Sequence, residues 1–285
     1  MPQSGAIDLH THSSVSDGTE TPTELVEAAV AEHLRAVALT DHDSTAGWDE
    51  AFTAAAGTGL MVVPGMELST NYGPASVHML AYLFDPANPG IVAETAKIRD
   101  GRMNRAERIV ERISKDYGIT WADVLAQSVD GGTIGRPHIA DALVAHGDVP
   151  DRSAAFQTIL HWRSGYYEKY YAPSPLDGVR MIVAAGGVPV LAHPATHGKY
   201  RALEDRAIRD LKDAGLWGLE VYHRDNTEDG RLWLIELARK FDLQITGSSD
   251  YHGEGKPNRL AENTTEPAVL ERLLAAGTGS HPFVG

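Results

Sequence analysis

One repeated unit restricts the fold more than any other feature. It is a short apolar run rich in β-branched residues, closed by a residue able to ligate a metal and followed by a helix-like segment. "AIDLHTH" (residues 6–12) leads into "TPTELVEAAVAEHL", and "AVALTDH" leads into "AGWDEAFTAAAGTG". Alternation of this kind builds a mostly parallel sheet or barrel wrapped by helices. Thr21, Pro22 and Glu24 signal the first helix start, and Leu25, Ala28, Ala29 and Leu34 give that helix its apolar stripe. A third run, "LMVVPGMEL", passes through the turn-rich "STNYGPAS" into a fourth, "VHMLAYLF". That gap is too short for a crossover helix, so a hairpin is predicted there.

After residue 85 the rhythm breaks, and residues 90–165 read as helices joined by Gly and Pro turns. The alternation then resumes through "VPVLAHP", "LWGLEVYH" and "LQITGSSDYH" to a closing helix, "EPAVLERLLAAG". The expected fold is therefore α/β, a (β/α) barrel of about seven strands over residues 1–88 and 166–285. A helical insertion subdomain, residues 89–165, would cover its active site. A chain of 285 residues suffices for one such barrel with its insertion.

Composition excludes several functions. The formal net charge of −14 opposes broad adhesion to nucleic acid or an anionic membrane, although a local basic patch is still compatible with it. The chain has no cysteine, which removes disulfides, thiolate zinc sites, iron–sulfur clusters and cysteine nucleophiles. Any metal must be held by His, Asp and Glu. "MPQSGAIDLH" lacks a basic segment followed by an apolar core, and no apolar run approaches the roughly 20 residues of a membrane helix. The cytoplasm is the expected location, and no protein partner is evident.

In "AIDLHTH" strand alternation puts His10 and His12 on one face, roughly 7 Å apart, where two imidazoles can share an ion. Alone, the pair fits a polar strand end equally well. The later runs change that balance, because almost every one ends in a metal-capable residue: His42, Glu67, His193, Glu220 with His223, and Asp250 with His252, while His78 lies within the fourth. In barrels of parallel strands such positions converge at the C-terminal ends of the strands. Imidazole and carboxylate without thiolate suit manganese, iron(II) or zinc, and the number of ligands exceeds what one ion accepts. Two or three divalent ions are expected, manganese foremost, and paired ions roughly 3.5 to 4 Å apart are the usual device for phosphoester cleavage.

"DLHTHSSVSDG", "LTDHD", "GMELS", "VHML", "AHP" and "SDYH" together resemble the ordered motifs of the polymerase and histidinol phosphatase (PHP) family of metal-dependent phosphoesterases. The resemblance covers about residues 6–85 and 175–255. It implies a distorted seven-stranded barrel holding up to three metals. Carried over position by position, it implies that His10, His12, Glu67 and Asp250 hold one ion, and that Glu67 bridges to a second held by His78 and His193. Asp17, His42 and His252 would hold the third. Aspartate at position 17 is similar to the small stand-alone members rather than to many histidinol phosphatases, which carry histidine there. Glu220 and His223 fall in a family motif but exceed the nine ligands. They are expected to support the ligands or face substrate, with a purely structural role as the alternative.

Within the insertion, "GGTIGRPHIADALVAHG" places Arg136 and His138 about a proline at a helix start, where free N–H groups and a guanidinium both favour an anion. Beside the other motifs, "GRPHIA" resembles PHP members that dephosphorylate nucleoside 3',5'-bisphosphates or trim RNA from its 5' end. Lys169 in "GYYEKYYAPSP", and His197, Lys199 and Tyr200 in "HPATHGKY", are candidate contacts to a second phosphate, a ribose or a base, the alternative being ordinary surface loops. His197 is also a candidate to protonate the leaving oxygen. Arg99, Arg102, Arg105, Arg108 and Arg112 recur at spacings of three or four. They would either steer a polyanion or form a solvated face with intrahelical Glu–Arg pairs.

The expected activity is phosphoric monoester hydrolysis, with the 3'-phosphate of a nucleoside bisphosphate removed to leave a 5'-monophosphate such as AMP. A water activated by the ions would attack phosphorus in line with the ribose oxygen. Arg136, His138 and Lys169 would orient the substrate. Short 5'-phosphorylated single-stranded RNA would use the same pocket as a 5'-3' exonuclease substrate. The competing readings are a histidinol-phosphate-type or other small phosphomonoesterase, a metal-dependent amidohydrolase, and a metal-binding module without activity. The second usually needs a carboxylated lysine where this chain has Glu67, and the third would have lost ligands that are all present here.

Overall fold

A computed structural model of the chain describes residues 5–73, 75–129, 132–196 and 204–285. Strands β1 (Ile7–Thr11), β2 (Ala36–Leu39), β3 (Met61–Tyr72), β4 (Ala75–Tyr82), β5 (Val188–Leu191), β6 (Gly218–Tyr222) and β7 (Gln244–Gly247) lie side by side in sequence order. Pairing is parallel from β1 to β3, antiparallel from β3 through β4 to β5, and parallel again to β7. The sheet curls until its two ends meet. Thr11 forms a parallel bridge to Tyr251 just beyond β7, and His12 N donates to Tyr251 O at 2.8 Å. A two-residue strand, β8 (Phe283–Val284), pairs with the start of β3. This is the nearly closed seven-stranded α/β barrel that the alternation predicts, and β3 and β4 form the expected hairpin.

Helices α1 (Pro22–Ala31), α2 (Trp48–Ala55), α8 (Asp205–Asp213) and α9 (Glu228–Phe241) connect the parallel strands, while α7 (Pro175–Ala184) leads into β5 and α10 (Pro267–Ala276) follows β7. Thr21 caps α1 in a reciprocal capping box with Glu24. One face of the strands, with Val37, Leu39, Met79, Leu191 and Leu219, packs against helices α1, α2, α7, α8 and α9. The alternate residues, among them Ile7, Leu9, Ala36, Ala38, Leu80, Tyr82 and Val190, form a second apolar cluster with Leu270 and Leu273 of α10. Period-two alternation thus feeds two cores from one sheet.

Between β4 and α7 run α3 (Pro89–Ile113), α4 (Trp121–Leu125), α5 (Arg136–His146) and α6 (Arg152–Gln157), with no strand among the described residues. They share an apolar cluster of their own, built on Ala106, Ile109, Val124, Ile139, Leu143 and Leu160. Helix α3 belongs to both bodies. Its first turns bury Ile91 and Ile98 in the barrel's core, and its later turns bury Ile109 and Ile113 in the insertion's cluster. At about 37 Å, a helix of 25 residues is long enough to do both. The expected boundary at residue 89 thus falls at the start of a shared helix. No helix among the described residues is long and apolar enough to cross a membrane.

Candidate metal centre

The cluster is centred on the Glu67 carboxylate, which leaves β3 nearly sealed from solvent. Its Oε1 lies 2.7 Å from His78 Nδ1 and 3.0 Å from His193 Nε2. Its Oε2 lies 3.2 Å from His12 Nε2, 3.2 Å from His42 Nδ1 and 3.4 Å from His10 Nε2. Five imidazoles from β1, β4 and the loops after β1, β2 and β5 therefore face one carboxylate. Asp250 closes the deep side, its Oδ1 3.5 Å from His10 Nε2 and 3.4 Å from His12 Nε2. Asp17 and His252 stand beside it, Oδ1 to Nε2 3.3 Å.

Tautomers follow from the outer hydrogen bonds. His10 Nδ1 lies 3.0 Å from Glu220 Oε1, a carboxylate oxygen that can only accept, so Nδ1 carries the proton and Nε2 offers a lone pair. His252 Nδ1 donates to the Asp250 carbonyl at 2.8 Å, which leaves its Nε2 a lone pair aimed toward Asp17. Ser16 gives its hydroxyl proton to Asp41 Oδ1 at 2.7 Å, so Ser16 Oγ accepts from His12 Nδ1 at 3.3 Å and frees His12 Nε2. The two lone pairs of His10 and His12 then face each other at 3.0 Å.

In the neutral forms, lone pairs facing lone pairs and carboxylates across 3.0–3.5 Å repel unless a proton or a metal ion lies among them. The donors form three sets, each with its ligand atoms within 4.8 Å of one another: His10, His12, Glu67 and Asp250; His12, Asp17 and His252; His42, Glu67 and His78. The ring nitrogens His42 Nδ1 and His252 Nε2 are buried without a hydrogen-bond partner. An all-N/O donor set with orphaned imidazole nitrogens fits divalent ions of the manganese, iron and zinc group. The expected partition differs at three places: His193, though its Nε2 lies 3.0 Å from Glu67 Oε1, falls in none of these sets, and the other two concern His42 and His12. His42 stands between sets, 3.8 Å from Asp17 and 3.2 Å from Glu67, and His12 rather than His42 completes the set with Asp17 and His252.

Electrostatics point the same way. Burial opposes ionisation of Asp17, Glu67 and Asp250, yet the imidazoles around all three, with Lys256 beside Asp250, hold them well below the usual carboxylate range. Burial lowers His252 to about 4 and lowers His42 and His193, which favours the neutral, ligating form. Burial also works to lower His12, but the carboxylates around it prevail and push it up to about 9. Such a cluster competes for protons that a divalent ion would replace. Backbone strain is stored here as well, since His193 (φ 29°), Asp250 (φ 55°) and Asp43 (φ 52°) adopt left-handed conformations without being glycine.

Glu220 and His223 are both buried, at 0% and 1% exposure, and stand against the ligands, the first of the roles expected for them. Glu220 grips His10 through Oε1 and accepts from His193 N through Oε2 at 2.8 Å, positioning two ligands at once. His223 Nε2 stands 3.5 Å from Asp250 Oδ2.

Above the cluster opens a cavity of about 630 Å³, lined by Asp17, His42, His78 and His252 on the barrel side and by Arg102, Arg105, Arg136, Lys169 and Tyr170 on the other. Arg136 heads α5, as the sequence predicts. His138 is 3% exposed and accepts from Gly135 N through Nδ1 at 3.1 Å, so it caps its own helix. His197 and Tyr200, expected beside the ligands, lie outside the described residues.

Sequence reasoning missed four cations here. Arg102 and Arg105 were read as part of an exposed or steering face, yet both are buried. No Glu–Arg pair forms within α3: Arg102 Nε lies 2.9 Å from Asp43 Oδ2, Arg99 donates to the Asp43 carbonyl, and Arg108 and Arg112 grip Glu168. The signal was in the spacing. Ile98, Arg102, Arg105 and Ile109 share one helical stripe, so arginines occupy positions that call for apolar side chains. Lys256, whose Nζ lies 2.7 Å from Asp250 Oδ2, carried no local signal, and neither did Arg152, which pairs with Asp141 and donates to the Asp17 carbonyl at 2.8 Å.

Nitrogen and oxygen donors gathered at the strand ends of a curled α/β sheet, with guanidiniums facing them across a cavity, define a metal-dependent hydrolase of phosphate esters. Comparison with known proteins gives the family. The PHP domain model matches residues 8–84. The chain is 35% identical over 268 residues to a 3',5'-nucleoside bisphosphate phosphatase of Chromobacterium violaceum, covering 91% of this chain and 92% of that protein. It is likewise 35% identical over 246 residues to a 5'-3' exoribonuclease of Haemophilus influenzae, covering 86% and 89%. A crystal structure of a Bifidobacterium adolescentis protein ascribed to the metal-dependent phosphoesterases superimposes with a TM-score of 0.93 at 44% identity, covering 98% of each chain. The chain belongs to the PHP family of metal-dependent phosphoesterases.

Proposed function

We propose that this phosphoesterase removes the 3'-phosphate of nucleoside 3',5'-bisphosphates, leaving 5'-monophosphates such as AMP, and accepts short 5'-phosphorylated RNA in the same cavity. The observation that carries the reading is one cavity with candidate metal ligands, imidazoles and the Asp17 carboxylate, on one wall and guanidiniums on the other. The names of the two curated relatives, a bisphosphate phosphatase and an exoribonuclease, support the same substrate class.

The nine residues His10, His12, Asp17, His42, Glu67, His78, His193, Asp250 and His252 would hold two or three ions, with manganese proposed. When bound, such ions supply Lewis acidity and lower the pKa of a water from 15.7 toward about 7. The chain's own residues do the rest. Glu220 fixes the His10 tautomer and, with it, the lone pair offered to the site. Arg136 and Lys169 face the cavity and would hold the phosphates in place before attack. His138, kept neutral by burial, would present Nε2–H as a donor, since its Nδ1 is committed to Gly135. His197 is proposed as the acid for the leaving oxygen. The cytoplasm is the proposed location, resting on the nucleotide substrate.

Manganese-loaded protein assayed on adenosine 3',5'-bisphosphate, histidinol phosphate and a 5'-phosphorylated oligoribonucleotide tests the reading. Hydrolysis of the first and third is expected. Activity confined to histidinol phosphate would overturn it in favour of the other small phosphomonoesterase reading.

A further inference from the structure

Arg105 is a cation buried in the cavity wall. It is 4% exposed, its Nε has no hydrogen-bond partner, and among the described residues no carboxylate pairs with it. Its nearest companion is the Tyr170 ring, 4.2 Å from the guanidinium. Arg102, one helical turn earlier, is neutralised by Asp43 and donates to Ser69 Oγ at 2.6 Å. Arg136 resembles Arg105: among the described residues it too has no carboxylate partner, with Phe156 at 5.2 Å, Tyr167 at 5.5 Å and the Leu160 carbonyl at 3.5 Å.

Leaving a guanidinium buried without a counter-ion is strongly unfavourable. Burial and the repulsion of Arg102 and Arg136, partly offset by Tyr170, push the Arg105 pKa down to about 9. An anion in the cavity would relieve both arginines. Two unpaired charges match one phosphate dianion, and the planar guanidinium forks suit its oxygens. Ions held by the His, Asp and Glu cluster would draw the reacting phosphate to the opposite wall, which leaves this pair for a phosphate that is not cleaved.

We propose that Arg105 and Arg136, backed by Tyr170 and Tyr167, form a subsite for the second, non-reacting phosphate, so that the enzyme selects nucleotides carrying two phosphates over monophosphates. This assignment of Arg105 rests on the function proposed above. It makes Arg105 a specificity-determining residue and gives the arginine in an apolar stripe a reason to be there.

The test compares wild type with Arg105→Met and Arg105→Lys, manganese-loaded, on adenosine 3',5'-bisphosphate and adenosine 3'-monophosphate. Arg105→Met should lower kcat/KM for the bisphosphate roughly 10- to 100-fold, the worth of one charge-assisted hydrogen bond or two. It should leave the monophosphate within about twofold, and Arg105→Lys should fall between. Equal losses on both substrates, or no loss on either, would overturn the subsite. Calorimetric titration of the metal-free proteins with adenosine 5'-monophosphate decides the subsite independently of turnover, with unchanged affinity in Arg105→Met counting against it. Wild type that binds this nucleotide through Arg105 but hydrolyses neither substrate would instead refute the proposed function. Thermal unfolding of each ligand-free variant separates a folding defect from a lost contact.

Discussion

Glu220 Oε1 lies 3.0 Å from Nδ1 of His10, 210 positions away in the chain, and Glu220 is wholly buried. Its other oxygen accepts from the backbone of His193. One carboxylate thus orients ligands from β1 and from the loop after β5. Glu220→Gln offers one acceptor where two are needed, and its amide N–H₂ would face a ring N–H or force the other tautomer on His10. Metal affinity should fall about 10- to 100-fold, recovering at high metal concentration. Manganese titration followed by activity checks this, and unchanged affinity would refute the orienting role.

Asp250→Ala removes the oxygen shared by His10 and His12 and strands Lys256 without its carboxylate. Elemental analysis should find at least one ion fewer per chain than in wild type. Activity should drop on the order of 10³-fold, equivalent to ~4 kcal/mol of lost transition-state stabilisation. Chelation should abolish activity and lower Tm, because ions at 100 times their Kd stabilise the fold by about 2.7 kcal/mol.

Tyr82 is fully buried on β4, and its hydroxyl donates to the Leu9 carbonyl at 2.7 Å. Tyr82→Phe keeps the packing and leaves that carbonyl unsatisfied beneath His10. A loss of about 1–3 kcal/mol is expected in urea denaturation. A value near zero would mean that Leu9 finds another donor.

Arg152 joins the insertion to the metal-side loop, gripping Asp141 of α5 while donating to the carbonyl of Asp17. Arg152→Ala should loosen Asp17 and weaken metal binding roughly 10-fold. Arg152→Lys should restore little, since an ammonium cannot fork to both partners. Metal stoichiometry at limiting manganese distinguishes the two outcomes.

Burial lowers the His138 pKa, so below the usual 6.5 the unfolded chain binds a proton that the folded chain refuses. The stability contributed by neutral His138 is present above pH 6.5 and is lost as pH falls through the folded pKa. His138→Asn retains an acceptor for Gly135 N but does not titrate. The Tm advantage of wild type over this variant should therefore shrink from pH 7.5 to pH 5.5. A constant difference would show that His138 is not depressed.

The barrel, the β3–β4 hairpin and the set of strand-end residues that gather at the site are legible along the chain alone. Those features are local: β-branched runs, helix starts and a loop too short for a crossover are written along a few consecutive residues. His10 and His12 were already legible as one face of β1. Only the tertiary structure decided what those residues meet. Glu220 reads from its strand as a residue beyond the ligand count, and the curling of the sheet that brings β6 beside β5 also sets it against His10 and His193. His42 sits between Asp17 and Glu67 because the loop after β2 runs past both. Along α3, the period shows which residues share a stripe but not what packs against it. The stripe's arginines became a buried wall only when the insertion folded back over the strand ends, because whether a charge faces solvent or a cavity is settled by the surface opposite it.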